Sequence, residues 1–174
     1  IIAAIVALFA AVALTACGSA AGTSSGSTQA KAESVPSLKD KKVLIAYFSR
    51  TGENYNVGYI SKGNTHIVAD IIGENVKADM FEIKPVVPYP ETYKEATEAA
   101  QKEKDEQARP AIQGRGENMK DYDVIFLGYP VWWSDLPMAV YTFLESYDFE
   151  GKTIIPFTTA GGDYMTGKED QIPS

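Results

Sequence analysis

The chain has 174 residues, 45 % of them hydrophobic, enough for one domain with a single sizeable core, and this excludes a wholly disordered protein. Its 16 basic and 23 acidic residues give a net charge of −7, and no Lys/Arg cluster supplies the basic stripe that a nucleic-acid surface needs. A single cysteine, Cys17, and a single histidine, His66, exclude both a disulfide framework and a Cys/His zinc site, so no metal is expected.

Residues 1–17, IIAAIVALFAAVALTAC, form an apolar run shorter than the roughly 20 residues of a membrane-spanning helix and end in small residues, as the core of an export signal does. Leu14-Thr15-Ala16-Cys17 resembles the lipobox of bacterial lipoproteins. The resemblance implies that Cys17 is lipidated and becomes the new amino terminus, with the domain anchored to the cell membrane on its extracytoplasmic side. Acyl chains contribute about 0.8 kcal/mol per buried CH₂, so two or more anchor stably. A plain cleaved signal and an uncleaved membrane helix are the alternatives. No Met or basic region precedes Ile1, so the sequence is expected to be clipped at its front. Residues 18–40 are rich in Gly, Ala, Ser and Thr and read as a flexible tether with a reach of roughly 25 Å.

From residue 41 onward, apolar runs alternate with helical patterns. KVLIAYF, residues 42–48, is a strand buried on both faces. Residues 64–72 carry Ile67, Val68, Ile71 and Ile72 on one helical face, with Gly73 near the end and His66 a solvated residue in the first turn. A second strand at 78–83 is closed by Pro85, Pro88 and Pro90. The polar helix expected at 91–108 sets Lys94, Glu98, Lys102 and Glu106 four residues apart, a solvated face, before Pro110 stops it. A strand at 123–129, a helix at 136–147 and a strand at 152–159 follow. Strands alternating with helices imply parallel pairing by right-handed crossovers, hence an α/β fold with an open, doubly wound sheet between two helical layers. Such sheets bind ligands beyond the carboxyl ends of their strands, where the winding reverses.

Three features stand at those ends. Ser49-Arg50-Thr51-Gly52 follows the first strand, and Gly63-Asn64-Thr65 opens the next helix; hydroxyls and free N–H groups there suit a phosphate dianion without a lysine. Tyr129-Pro130-Val131-Trp132-Trp133 follows the third strand and offers flat rings on a proline-bounded loop. Thr159, Gly161 and Gly162 follow the fourth, where glycine permits close backbone approach. Taken singly, Ser49 and Thr51 end a strand, Asn64 caps a helix, the tryptophans are core and the glycines a turn. Their coincidence on one sheet edge describes a pocket for a phosphorylated aromatic molecule.

With YFSRTG, KGNT, LGYPVWW, LPMAVYTFLE and IPFTTAGG in this order, residues 41–174 resemble the flavodoxin family. The family's S-x-T-G-N-T loop, which holds the FMN phosphate, corresponds to Ser49, Thr51, Gly63, Asn64 and Thr65 split by an insertion at 52–62. The resemblance implies FMN as cofactor, held by these residues together with Arg50, Tyr129, Pro130, Val131, Trp132, Trp133, Thr159, Gly161 and Gly162. Tyr55 and Tyr59 of the insertion either cover the flavin or pack on the surface, and Tyr164 is a further stacking candidate. A fifth strand and final helix of the family's sheet are missing from the sequence as given, which implies a cut at its end. Three functions follow from the resemblance: an electron carrier serving redox partner proteins, a nicotinamide-dependent flavin or quinone reductase, and a flavin-binding module without turnover. No general base or nucleophile stands in the expected pocket, which favours the carrier.

Overall fold

The computed structural model describes residues 38–116, 118–162 and 172. The export signal, Cys17, most of the tether and Tyr164 lie outside the described residues.

Val43–Tyr47 forms β1, an unbroken buried strand. Two short strands follow, β2 (Gly52–Asn54) and β3 (Gly58–Ile60), and then helix α1 (Asn64–Asn75). Strand β4 (Asp79–Glu82) leads to α2 (Tyr93–Asp105), and β5 (Val124–Pro130) to α3 (Met138–Glu145) and β6 (Thr153–Thr159). The four long-range strands pair in parallel in the order β4-β1-β5-β6. Val43 stands beside Val124 and Tyr47 beside Gly128 in the β1–β5 register. Because β4 lies on one side of β1 and β5 on the other, the winding reverses between β1 and β5, which puts a crevice beyond Tyr47 and Pro130.

Alternate residues of β1 feed two apolar layers, as the two-residue period of a strand requires. Leu44, Ala46 and Phe48 join a cluster with Leu136, Val140 and Phe143 of the α3 region. Ile45 and Tyr47 pack instead with Ala69 of α1. Full burial of Phe143 contributes about 1.5–3 kcal/mol. The sheet flanked by helices on both faces is the doubly wound α/β architecture expected from the sequence. Among the described residues β6 pairs only with β5.

Helix α2 begins at Thr92, whose hydroxyl accepts from Glu95 N while donating to the Glu95 carboxylate, a reciprocal cap. Its polar face carries the Lys94–Glu98 and Lys102–Glu106 ion pairs, as the spacing predicts. Ala96 and Ala100 are buried on the opposite face, so the helix is not solvated all round.

Candidate functional site

The chain leaves β1 with Phe48 N donating to Gly128 O at 2.8 Å, which binds the loop after β1 to the end of β5. Ser49 and Arg50 then meet Gly63 directly, although 12 residues of sequence lie between Arg50 and Gly63. A Cβ at Gly63 would stand 2.1 Å from Ser49 Oγ and 2.6 Å from Arg50 O, so only glycine lets the two segments touch. Ser49 Oγ accepts from His66 N at 3.1 Å, and the buried Thr65 hydroxyl is 2.8 Å from that of Thr159. The N-cap residue, Gly63, has no side chain to cap α1, so Ser49 supplies the bond to His66 N from the neighbouring loop, and no acidic residue stands in the first turn. The first helical bond is from Ile67 N to Gly63 O, so the N–H groups of Asn64 and Thr65 precede the helical ladder. The two polar turns are therefore one continuous surface, interrupted in sequence and brought together in space. His66, in the first turn, is half-buried with its ring 4.8 Å from that of Tyr47 and its Nε2 3.5 Å from Asp70.

The intervening residues form an antiparallel β2–β3 hairpin, a feature the sequence analysis left as an undefined insertion. Gly52 has φ +88°, and a Cβ there would approach Glu91 O to 2.7 Å. Arg50 holds the hairpin in place. Its guanidinium donates to Pro90 O at 2.6 Å, Glu91 O at 2.7 Å, Thr92 O at 3.2 Å and Glu53 O at 2.5 Å. Burial pushes its pKa down, against the opposing pull of Glu53 and Glu91, and it stays protonated as arginine always does. Expected as a cofactor contact, Arg50 borders the site but spends these donors on backbone carbonyls. The hairpin carries the Tyr55 ring against Gly161, where a Cβ would come within 2.7 Å of it, and beside the Tyr93 ring at 5.8 Å.

Beyond β5, Trp132 and Asp135 exchange two backbone hydrogen bonds of 3.0 Å around Trp133 (φ 52°) and Ser134 (φ 56°). Two consecutive left-handed residues make a tight turn of the type that glycine and asparagine usually occupy. Each costs about 1–2 kcal/mol relative to right-handed backbone. Helix α2 offsets the cost. Lys104 Nζ donates to Trp133 O at 2.5 Å and lies 3.7 Å from the Asp135 carboxylate, while Trp133 Nε1 donates to Thr97 O at 3.2 Å. Asp135 also accepts from Leu136 N and from Tyr141 OH, whose pKa burial and the carboxylate together push up. Trp132 stands edge-on to Tyr89 at 4.9 Å and to Phe48 at 5.2 Å. Tyr89 donates to the Glu103 carboxylate; burial pushes that carboxyl up, and the bond from Tyr89 opposes the shift.

These elements enclose a cavity of about 550 Å³, a size typical of small-molecule sites. Of the residues expected from the sequence, Ser49, Arg50, Asn64, Thr65 and Thr159 line its polar end. Pro130, Val131, Trp132 and Trp133 line one wall, and Gly161 and Gly162 another. Three expected residues do not line it. Thr51 is exposed, Gly63 is buried behind Ser49, and Tyr129 is in the core with its ring away from solvent. Sequence reasoning missed the wall contributed by α2, formed by Tyr93, Ala96, Thr97 and Ala100. The signal was present as the small residues Ala96, Thr97 and Ala100 at i+3, i+4 and i+7 from Tyr93, the stripe of a helix face packed against something. Among the described residues none that lines the cavity is Asp, Glu, His or Lys.

A sequence model of flavodoxins matches residues 42–173. A candidate flavoprotein from Bacteroides eggerthii is 35 % identical, aligned over 71 % of this chain and 74 % of that one, with a TM-score of 0.60. A candidate flavoprotein from Bacteroides uniformis is 33 % identical over 71 % and 74 % of the two chains, with a TM-score of 0.59. A flavoprotein from Lactobacillus acidophilus, solved in complex with FMN, is 22 % identical over 70 % and 76 %, and its TM-score of 0.57 shows a common fold. No curated protein sequence matches the chain.

Proposed function

Because the chain belongs to the flavodoxin family, over residues 42–173, we propose that it binds FMN in this cavity and serves as an electron carrier between redox partner proteins. The observation that carries the reading is the closed loop: Gly63 against Ser49, with the Asn64 and Thr65 N–H groups ahead of the helical ladder of α1 and the Thr65 and Thr159 hydroxyls paired beside them. The residues fit the group. A phosphate dianion is favoured by helix N–H groups and hydroxyls at a positive dipole end, and glycine at position 63 lets the Ser49 loop lie directly against the start of α1. Ser49, Asn64 and Thr65 would hold the phosphate, and Trp132 or Trp133 with the backbone at Gly161 and Gly162 would flank the ring. FMN supplies the redox chemistry; the chain binds, orients and shields it. Among the described residues the lining has no Asp, Glu, His or Lys, which supports a carrier over an enzyme that must move a proton through a side chain.

A Ser49→Ala/Thr65→Ala double variant should bind FMN at least tenfold more weakly, since each hydrogen bond to a charged group contributes about 1.5–3 kcal/mol. Riboflavin, which lacks the phosphate, should bind poorly and equally to both forms. Unchanged FMN affinity by calorimetry would place the phosphate elsewhere.

On the same reading the domain is displayed outside the cytoplasmic membrane through lipid on Cys17, supported by the Leu14-Thr15-Ala16-Cys17 sequence. Cell fractionation tests this: Cys17→Ser should leave the membrane fraction and keep its flavin. Retention of the variant in membranes would point to an uncleaved helical anchor.

A further inference from the structure

We infer that the half of the cavity between the β2–β3 hairpin and α2 is a second binding site, adjoining the cofactor, for a small, uncharged, planar ring system. The inference rests on the cofactor reading of the cradle half. The two halves differ in chemistry. Around the cradle stand hydroxyls and helix N–H groups, whereas the far half is bounded by Tyr55, Tyr93, Ala96, Thr97, Ala100 and Trp133.

Ala96 and Ala100 present only methyl groups, one helical turn and roughly 6 Å apart, which makes a flat wall. Tyr55 and Tyr93 stand 5.8 Å apart with their planes 36° from parallel, and Trp133 is pinned through its indole N–H to Thr97 O. Aromatic rings favour partners that stack or meet edge to face at such distances, so the bounding surface selects a flat ring. The Tyr55 ring against Gly161 roofs this half from the hairpin side, so a protein surface meets the outer face of the tyrosine and a small molecule fits beneath it.

Charge selects as well. Among the described residues the only cation in the lining is Arg50, and its guanidinium is committed to the carbonyls of Glu53, Pro90, Glu91 and Thr92. A second anion would be desolvated here with nothing to offset the cost, on a chain of net charge −7. The same argument disfavours a nicotinamide dinucleotide, whose diphosphate needs a donor cluster of its own.

The test uses the full-length, FMN-loaded chain and equilibrium dialysis with 2,3-dimethyl-1,4-naphthoquinone, compared with anionic 1,4-naphthoquinone-2-sulfonate. The neutral quinone should bind, and the sulfonate at least tenfold more weakly. Tyr55→Ala and Tyr93→Ala change exposed side chains, so both variants should fold; each should weaken quinone binding at least fivefold and alter FMN affinity less than twofold, while Tyr55→Phe restores binding. Absence of quinone binding, or equal binding by parent and variants, overturns the inference. So does an equal loss of FMN affinity, which would make the two tyrosines cofactor contacts. If the chain takes up no FMN, the cofactor reading fails separately, and dialysis of the ligand-free chain against the same quinone and variants still decides whether the tyrosine site exists.

Discussion

A Gly63→Ala variant is expected to bind FMN at least a hundredfold more weakly than the parent chain while keeping its helical content. The backbone at Gly63, φ −68° and ψ 149°, is open to any residue, so the effect is one of space and not of conformational strain. The new methyl would stand 2.1 Å from Ser49 Oγ and 2.6 Å from Arg50 O. Ser49 could turn away only by giving up its bond from His66 N, and the Arg50 carbonyl belongs to the backbone and cannot turn. The loop and the start of α1 must therefore separate, misaligning the N–H groups to which the proposed function assigns the phosphate. Loss of two charge-assisted hydrogen bonds at about 1.5–3 kcal/mol each accounts for the hundredfold factor. Calorimetric titration with FMN checks the result, and an affinity within threefold of the parent would show that the two segments do not act as one cradle.

Arg50→Ala should lower stability by about 2 kcal/mol, or roughly 5–10 °C in Tm for a domain of this size. The figure is kept below the sum of its hydrogen bonds because the guanidinium is partly exposed to water. The side chain gathers four carbonyls from two segments about 40 residues apart, fixing the hairpin to the start of α2. Arg50→Lys should recover little, since a single ammonium cannot reproduce the planar fork that reaches Glu53 on one side and Pro90 to Thr92 on the other. Differential scanning calorimetry of the three proteins decides this, and full recovery by lysine would reduce the role of Arg50 to that of a local positive charge.

The order of elements was legible because burial on both faces leaves a plain mark. KVLIAYF reads as a central strand with β1 at Val43–Tyr47 inside it, and the helix read at 64–72 is the first part of Asn64–Asn75. The expected 91–108 helix runs from Tyr93 to Asp105, shorter at both ends. The hairpin left no such mark. Its strands are three residues each, lack apolar alternation, and are held through Arg50 and Glu53 to Pro90, Glu91, Thr92 and Tyr93, a segment far away in the sequence. The polar end of the site was readable from hydroxyls at a strand end. The α2 wall was not, because alanine lining a cavity and alanine filling a helix face have the same sequence signature, and the conspicuous Lys/Glu pairs drew attention to the other side. Gly161 was expected to admit a ligand to the backbone; it also admits the Tyr55 ring, a contact that only the folded hairpin creates.

The placement of the tryptophans gives the chain a built-in optical probe. It has two tryptophans in all, Trp132 and Trp133, and both line the cavity. All of its indole emission therefore originates at one site, on neighbouring residues of one loop. Trp132 is partly buried and stands edge-on to Phe48 and Tyr89, whereas Trp133 is about half exposed, so the two should emit at different wavelengths, the more buried ring to the blue and the more exposed ring to the red. An occupant entering from the α2 side meets the red component first and one settling against the loop's inner face meets the blue, so the emission spectrum of the unlabelled protein resolves which side of the cavity has filled.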